Sequence, residues 1–135
     1  KKFGTTKRMQ YMTTYNKGDI VLVPFPFSDQ TATKKRPAVI ISSTDNSYNN
    51  TSSDIVIMAI TSKTDKNLTT GECLINNWQN AGLLKPSVIK PAISTIEQTL
   101  VLKKLGRLSQ LDLISTENAL IEFLDLRETK AKKVN

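Results

Sequence analysis

Along this chain, apolar runs too short for long helices alternate with extended polar stretches. Ile20 to Phe25, Ala38 to Ile41 and Asp54 to Ile60 (DIVIMAI) each hold a nearly continuous apolar run. Runs of that length and composition predict buried strands. Gly71 to Ile75 (GECLI) predicts a fourth strand, and Ser87 to Ser94 and Thr99 to Lys104 predict two more, joined by TIEQ. Gly18-Asp19 supplies a turn before the first strand. Pro24 and Pro26 remove two ladder donors, so that strand should end or lie at an edge there. The polar segments SDQTATKK, STDNSYNNTSSD and TSKTDKNLTT read as surface loops. NNWQNAGLLKPS predicts a short helical turn around Trp78 before Pro86.

One segment has helical periodicity. Ser109 opens it and Asp112 follows three residues later, a capping arrangement that also puts a carboxylate at the positive end of the helix. Leu113, Leu120 and Leu124, with Ile114 and Ile121, form an apolar stripe expected to pack on the sheet. The chain thus reads as mainly β with a C-terminal helix, its short strands forming a strongly curved antiparallel sheet or small barrel.

Charge changes this picture through its location. The 135 residues carry +7, which taken alone suggests a nucleic-acid partner. Lys1, Lys2, Lys7, Arg8 and Lys17 precede the first carboxylate, and Lys130, Lys132 and Lys133 crowd the other end against Glu128. From Asp19 to Arg127 there are 11 basic and 11 acidic residues, so the expected folded body is neutral. The expected organisation is a basic leader over 1–14, with Met12 a candidate natural start, a single domain over 15–127 and a basic tail over 128–135. A local cluster, rather than the total charge, must therefore carry any nucleic-acid argument. Such a cluster exists at Lys34-Lys35-Arg36, which ends a long polar loop and leads into the second strand.

Candidate chemistry narrows by exclusion. The chain has no histidine and a single cysteine, Cys73, which argues against a transition-metal site and a histidine-dependent triad and predicts no cofactor. A lone cysteine also fits a reducing cytoplasm. No glycine-rich phosphate loop, paired carboxylates or membrane-length apolar stretch occurs. What remains is a set of cations and hydroxyls at strand ends: Arg36 at the start of the second strand, Thr61 and Ser62 at the end of the third, and Ser87 and Lys90 on the fifth. If those strands are neighbours, these groups converge at one edge. A guanidinium grips phosphate through paired hydrogen bonds and stabilises charge growing in a transition state. RNA brings its own nucleophile, the 2′-hydroxyl, so its cleavage needs neither a metal nor an enzyme nucleophile.

Five segments in order, KGDIVLVPFPF, KKRPAVIIS, DIVIMAITS, LLKPSVIK and VLKKLGRLS, resemble the MazF/PemK (Kid) toxins of bacterial type II toxin–antitoxin systems, over Tyr15 to Leu126. The resemblance implies a homodimeric SH3-like barrel and a metal-independent endoribonuclease. Such an enzyme cuts single-stranded RNA to leave a 2′,3′-cyclic phosphate and a 5′-hydroxyl, is blocked by a cognate antitoxin, and binds operator DNA only together with that antitoxin. It implies catalytic roles for Arg36 and Thr61. RNA contacts would fall on Phe27, Ser28, Lys34 and Lys35 of the covering loop, with Ser62, Lys63, Ser87 and Lys90 as further lining. The match departs from the Kid branch at Lys90-Pro91-Ala92, where that branch has an arginine and a carboxylate, and in lacking histidine. The sequence keeps two other readings open: a nonenzymatic gyrase-binding toxin of the CcdB kind, and a DNA-binding, autoregulatory module acting with an antitoxin. Trp78 is expected as a core or dimer-interface anchor.

Overall fold

The computed structural model describes residues 15–26, 33–43, 54–64 and 67–126. Six strands run β1 (Asp19–Pro26), β2 (Thr33–Ile40), β3 (Asp54–Thr61), β4 (Cys73–Ile75), β5 (Ser87–Glu97) and β6 (Lys103–Arg107), followed by helix α1 (Gln110–Leu124). They form one antiparallel sheet in the order β4-β5-β3-β2-β1-β6. The apolar runs are continuous because both faces of the sheet are covered. Ile20, Val39, Met58, Ile60 and Ile89 pack on one face with Leu113 of α1, and Val21, Val23, Ala38, Ile40, Ile55 and Ile57 pack on the other.

The sheet curls until its two edges meet. The turn after β4 brings Ala81-Gly82 against Leu105-Gly106 of β6, backbone to backbone. A Cβ on Gly82 would strike the Leu105 carbonyl, and one on Gly106 would strike that of Ala81. Gly82 also has φ +92°, where a side chain is strained. Asp19 ties β1 to β6 from the opposite face. Fully buried, it accepts the Asn16 N–H at 2.7 Å and an Arg107 N–H at 2.8 Å, with Lys104 Nζ 3.4 Å away.

Several expectations need correction. The second strand starts at Thr33, so Lys34, Lys35 and Arg36 lie within it, paired with Phe25, Pro24 and Val23. The fifth does not stop at Ser94. Thr95, Ile96 and Glu97 continue the ladder on β3, with Ile96 opposite Ile55. The connection is instead a 3-10 turn, Gln98–Leu100, and β6 begins at Lys103. Pro24 and Pro26 behave as expected: β1 remains paired with β2 through Pro26, but pairs with β6 only as far as Leu22. Proline there withholds no N–H that β6 would need. Pro91 is accommodated by a bulge, because Met58 pairs with Ile93 while Ile60 pairs with Ile89.

The helix is anchored by its first turn more than by the predicted stripe. Leu113 is buried and Leu120 half-buried, but Ile114, Ile121 and Leu124 are exposed. The buried residues of α1 are Asp112, Leu113 and Thr116. Ser109 Oγ caps the Asp112 N–H at 3.1 Å. The Asp112 carboxylate reaches outward, taking the N–H groups of Asn76 and Asn77 at 3.2 and 2.9 Å. That bond fixes the turn containing Trp78, which packs half-buried against the first cluster. The Met12 region, Phe27, Ser28 and the basic tail lie outside the described residues.

Candidate functional site

Where β1, β2 and β3 run past the helix-covered core, the sheet and the turn after β4 enclose a cleft of about 540 Å³. Its floor is apolar: Leu22, Pro37 and Ile60 from the three strands, Leu83 from the turn and Leu105 from β6. Lys34, Lys35 and Arg36 line one side, and Thr61, Ser62 and Lys63 line the end of β3. The β2–β3 ladder explains why these groups are close. Its last pair toward this end is Ala38 with Ala59, and Arg36 and Thr61 each lie two residues beyond it, at the same end of the two strands. The sequence-predicted pair therefore shares one cleft.

Thr61 Oγ1 accepts the Lys63 N–H at 3.3 Å, which leaves its own proton to donate to a ligand. Ser87 also lines the cleft but is only 4% exposed, and its hydroxyl donates to the Lys85 carbonyl at 2.8 Å. It shapes the wall rather than offering a free hydroxyl. Lys90 is not among the lining residues. Its ammonium lies 3.0 Å from a Glu72 carboxylate oxygen. With the Thr69 N–H as the larger cause and Lys90 beside it, Glu72 is held below its usual carboxyl pKa.

Sequence reading missed the far wall. Lys85 points a fifth cation at the cleft, and Leu84 beside it is 93% exposed. The only signal was the LLKPS segment itself, since nothing local shows that a turn after β4 will cross to β6. Among the described lining residues there are five cations and no carboxylate. A concave site with an apolar floor and one sign of charge concentrates anions. Two hydroxyl-bearing residues at the strand end add neutral donors, so the arrangement suits a phosphodiester whose attached group rests on the apolar floor.

The family model for the PemK-like, MazF-like toxin of type II toxin–antitoxin systems matches residues 16–124. No curated protein sequence matches the chain. Among solved structures, an endoribonuclease in complex with its cognate antitoxin from a mycobacterial species superposes with a TM-score of 0.66 at 16% identity, covering 86% of this chain and 100% of that one. A MazE–MazF structure from Deinococcus radiodurans gives 0.65 at 16% identity, with coverage of 85% and 100%. The Mycobacterium tuberculosis toxin MazF-mt6 gives 0.60 at 18%, with coverage of 80% and 99%. At such identities the likeness is one of fold.

Proposed function

The chain belongs to the PemK-like, MazF-like toxins of type II toxin–antitoxin systems, and from that premise we propose that it is a metal-independent endoribonuclease acting on single-stranded RNA. One observation carries the reading: Arg36 and Thr61 line a single cleft with Lys34, Lys35, Lys63 and Lys85 and, among the described residues, no carboxylate. In the reaction the 2′-hydroxyl oxygen bonds to phosphorus while the bond to the 5′-oxygen breaks. The hydroxyl loses its proton and the departing oxygen gains one, leaving a 2′,3′-cyclic phosphate and a 5′-hydroxyl. Arg36 stabilises the charge that gathers on the phosphoryl oxygens, and Thr61 donates to the same group. Lys34, Lys35 and Lys63 hold flanking phosphates, which orient a strand without reading its bases.

The toxin would act in the cytoplasm, on messenger RNA, as a homodimer whose cleft is blocked by a cognate antitoxin. One of the similar structures is an endoribonuclease in complex with its cognate antitoxin, and another holds MazE with MazF. The test is incubation of purified protein with RNA in EDTA, followed by mapping of the ends. Wild type should cut and leave cyclic phosphates, and Arg36→Ala should cut at least about 100-fold more slowly, the usual loss when one transition-state donor is removed. Intact RNA with wild type, or equal cleavage by both proteins, would sink the reading. Light scattering at twice the 15.0 kDa chain mass checks the dimer.

A further inference from the structure

We propose that Lys103, just outside the residues that line the cleft, is a phosphate-binding residue that carries the RNA path across β1 to the outer strand β6. The proposal rests on the RNA-cleaving reading above. β6 presents two consecutive lysines, and a strand sends consecutive side chains to opposite faces. The ladder assigns each a side: Val21 pairs with Lys104 and Leu22 with Lys103.

Lys104 falls with Val21, Asp19 and Arg107. Its ammonium lies 3.4 Å from the buried Asp19 carboxylate, which also binds Arg107. That charge is committed to holding β6 on β1. Lys103 falls with Leu22, which in turn pairs with Pro37. Leu22 and Pro37 belong to the cleft floor, as does Leu105, which lies where the β1–β6 register shifts. Lys103 is exposed, and among the described residues no carboxylate pairs with it. It therefore stands beside Leu22 at the β6 edge of the floor, with β1 between it and β2.

The distance decides which phosphate it meets. Two strand spacings of about 4.8 Å separate β6 from β2. At that separation, and paired with Leu22 where Arg36 pairs with Val23, Lys103 takes a neighbouring phosphate rather than the one assigned to Arg36 and Thr61. Edge-strand lysines also discourage strand-to-strand aggregation, a role that either lysine could fill and that predicts no difference between them in RNA binding. The two lysines are each other's control.

The probe is a 2′-O-methylated copy of an RNA that wild type cuts. It has no free 2′-hydroxyl and stays intact during titration. Lys103→Gln should weaken its binding several-fold at low salt and flatten the plot of log affinity against log salt by about 0.7, the value for one phosphate contact on a single strand. On cleavable RNA it should raise KM and leave kcat near the wild-type value, while Lys103→Arg keeps the wild-type slope. Lys104→Gln should leave the slope unchanged, whatever it does to melting temperature. An unchanged slope in Lys103→Gln, or the same change in both glutamine variants, overturns the proposal. The parent reading fails separately: if wild type does not cut RNA, or Arg36→Ala cuts equally, the RNA assignment falls first. If those two behave as expected and Lys103→Gln does not, Lys103 alone is wrongly assigned.

Discussion

A carboxylate only 2% exposed needs compensation, and Asp112 has it from two backbone N–H groups of the turn after β4. Hydrogen bonds to a charged group each contribute about 1.5–3 kcal/mol. Asp112→Ala should therefore destabilise the fold by about 3 kcal/mol, measured by urea denaturation. It should also raise KM for RNA, because the same turn supplies Leu83, Leu84 and Lys85 to the cleft. Glu72 makes a prediction of a different kind. The Thr69 N–H and Lys90 favour its ionised form in the folded state and lower its pKa from 4.5. Its contribution is then full above about pH 4.5 and is lost as pH falls through the depressed folded value. The melting-temperature gap between wild type and Glu72→Gln should be constant from pH 7 to 5 and shrink below that; a gap that widens in acid would reverse the sign. These two residues also show what sequence could not supply. That Arg36 and Thr61 line one cleft was expected from a resemblance. Where Ser87 sends its proton, and that Lys90 faces Glu72, depends on partners brought together only by folding.

Among the elements, the closure of the sheet is the most sensitive contact. Gly82→Ala combines a left-handed backbone position with a Cβ driven into the Leu105 carbonyl. Backbone on both sides leaves nothing flexible to give way, so a loss of at least about 3 kcal/mol is expected. Gly106→Ala meets the Ala81 carbonyl from the other side and should be comparably damaging. Thermal melts of both variants check this; a melting temperature within a degree or two of wild type would mean that the edges are not so closely joined. The central strands β1, β2 and β3 were legible because both faces of the sheet are covered there and the runs are correspondingly apolar. Strand ends were less legible. Thr33 to Arg36 look like loop by composition, yet their backbone pairs with β1. Hydrophobic periodicity also overstated how much of α1 is covered. It counts leucines and isoleucines but gives no weight to Asp112 and Thr116, which are buried through hydrogen bonds.

For the whole molecule, charge and fold occupy different places. The +7 resides at the ends, whereas Asp19 to Arg127 balances 11 cations against 11 carboxylates. Within that neutral body five cations converge on one cleft with, among the described residues, no lining carboxylate, so the field is local even though the total is zero. We propose residues 15–127 as the functional unit. A chain restricted to them should cut RNA at the same phosphodiesters as the full chain, because cut-site choice depends on the cleft. Its binding should depend less steeply on salt, since it lacks the cations of 1–14 and 128–135. Each phosphate those cations neutralise contributes about −0.7 to the slope on a single strand. Sequencing of cleavage ends and salt titrations of both chains check the two halves of the expectation independently. A changed cut-site map would move recognition out of the cleft and into the ends. An unchanged slope would mean that the basic ends do not touch RNA, leaving the whole electrostatic attraction to the residues around Arg36.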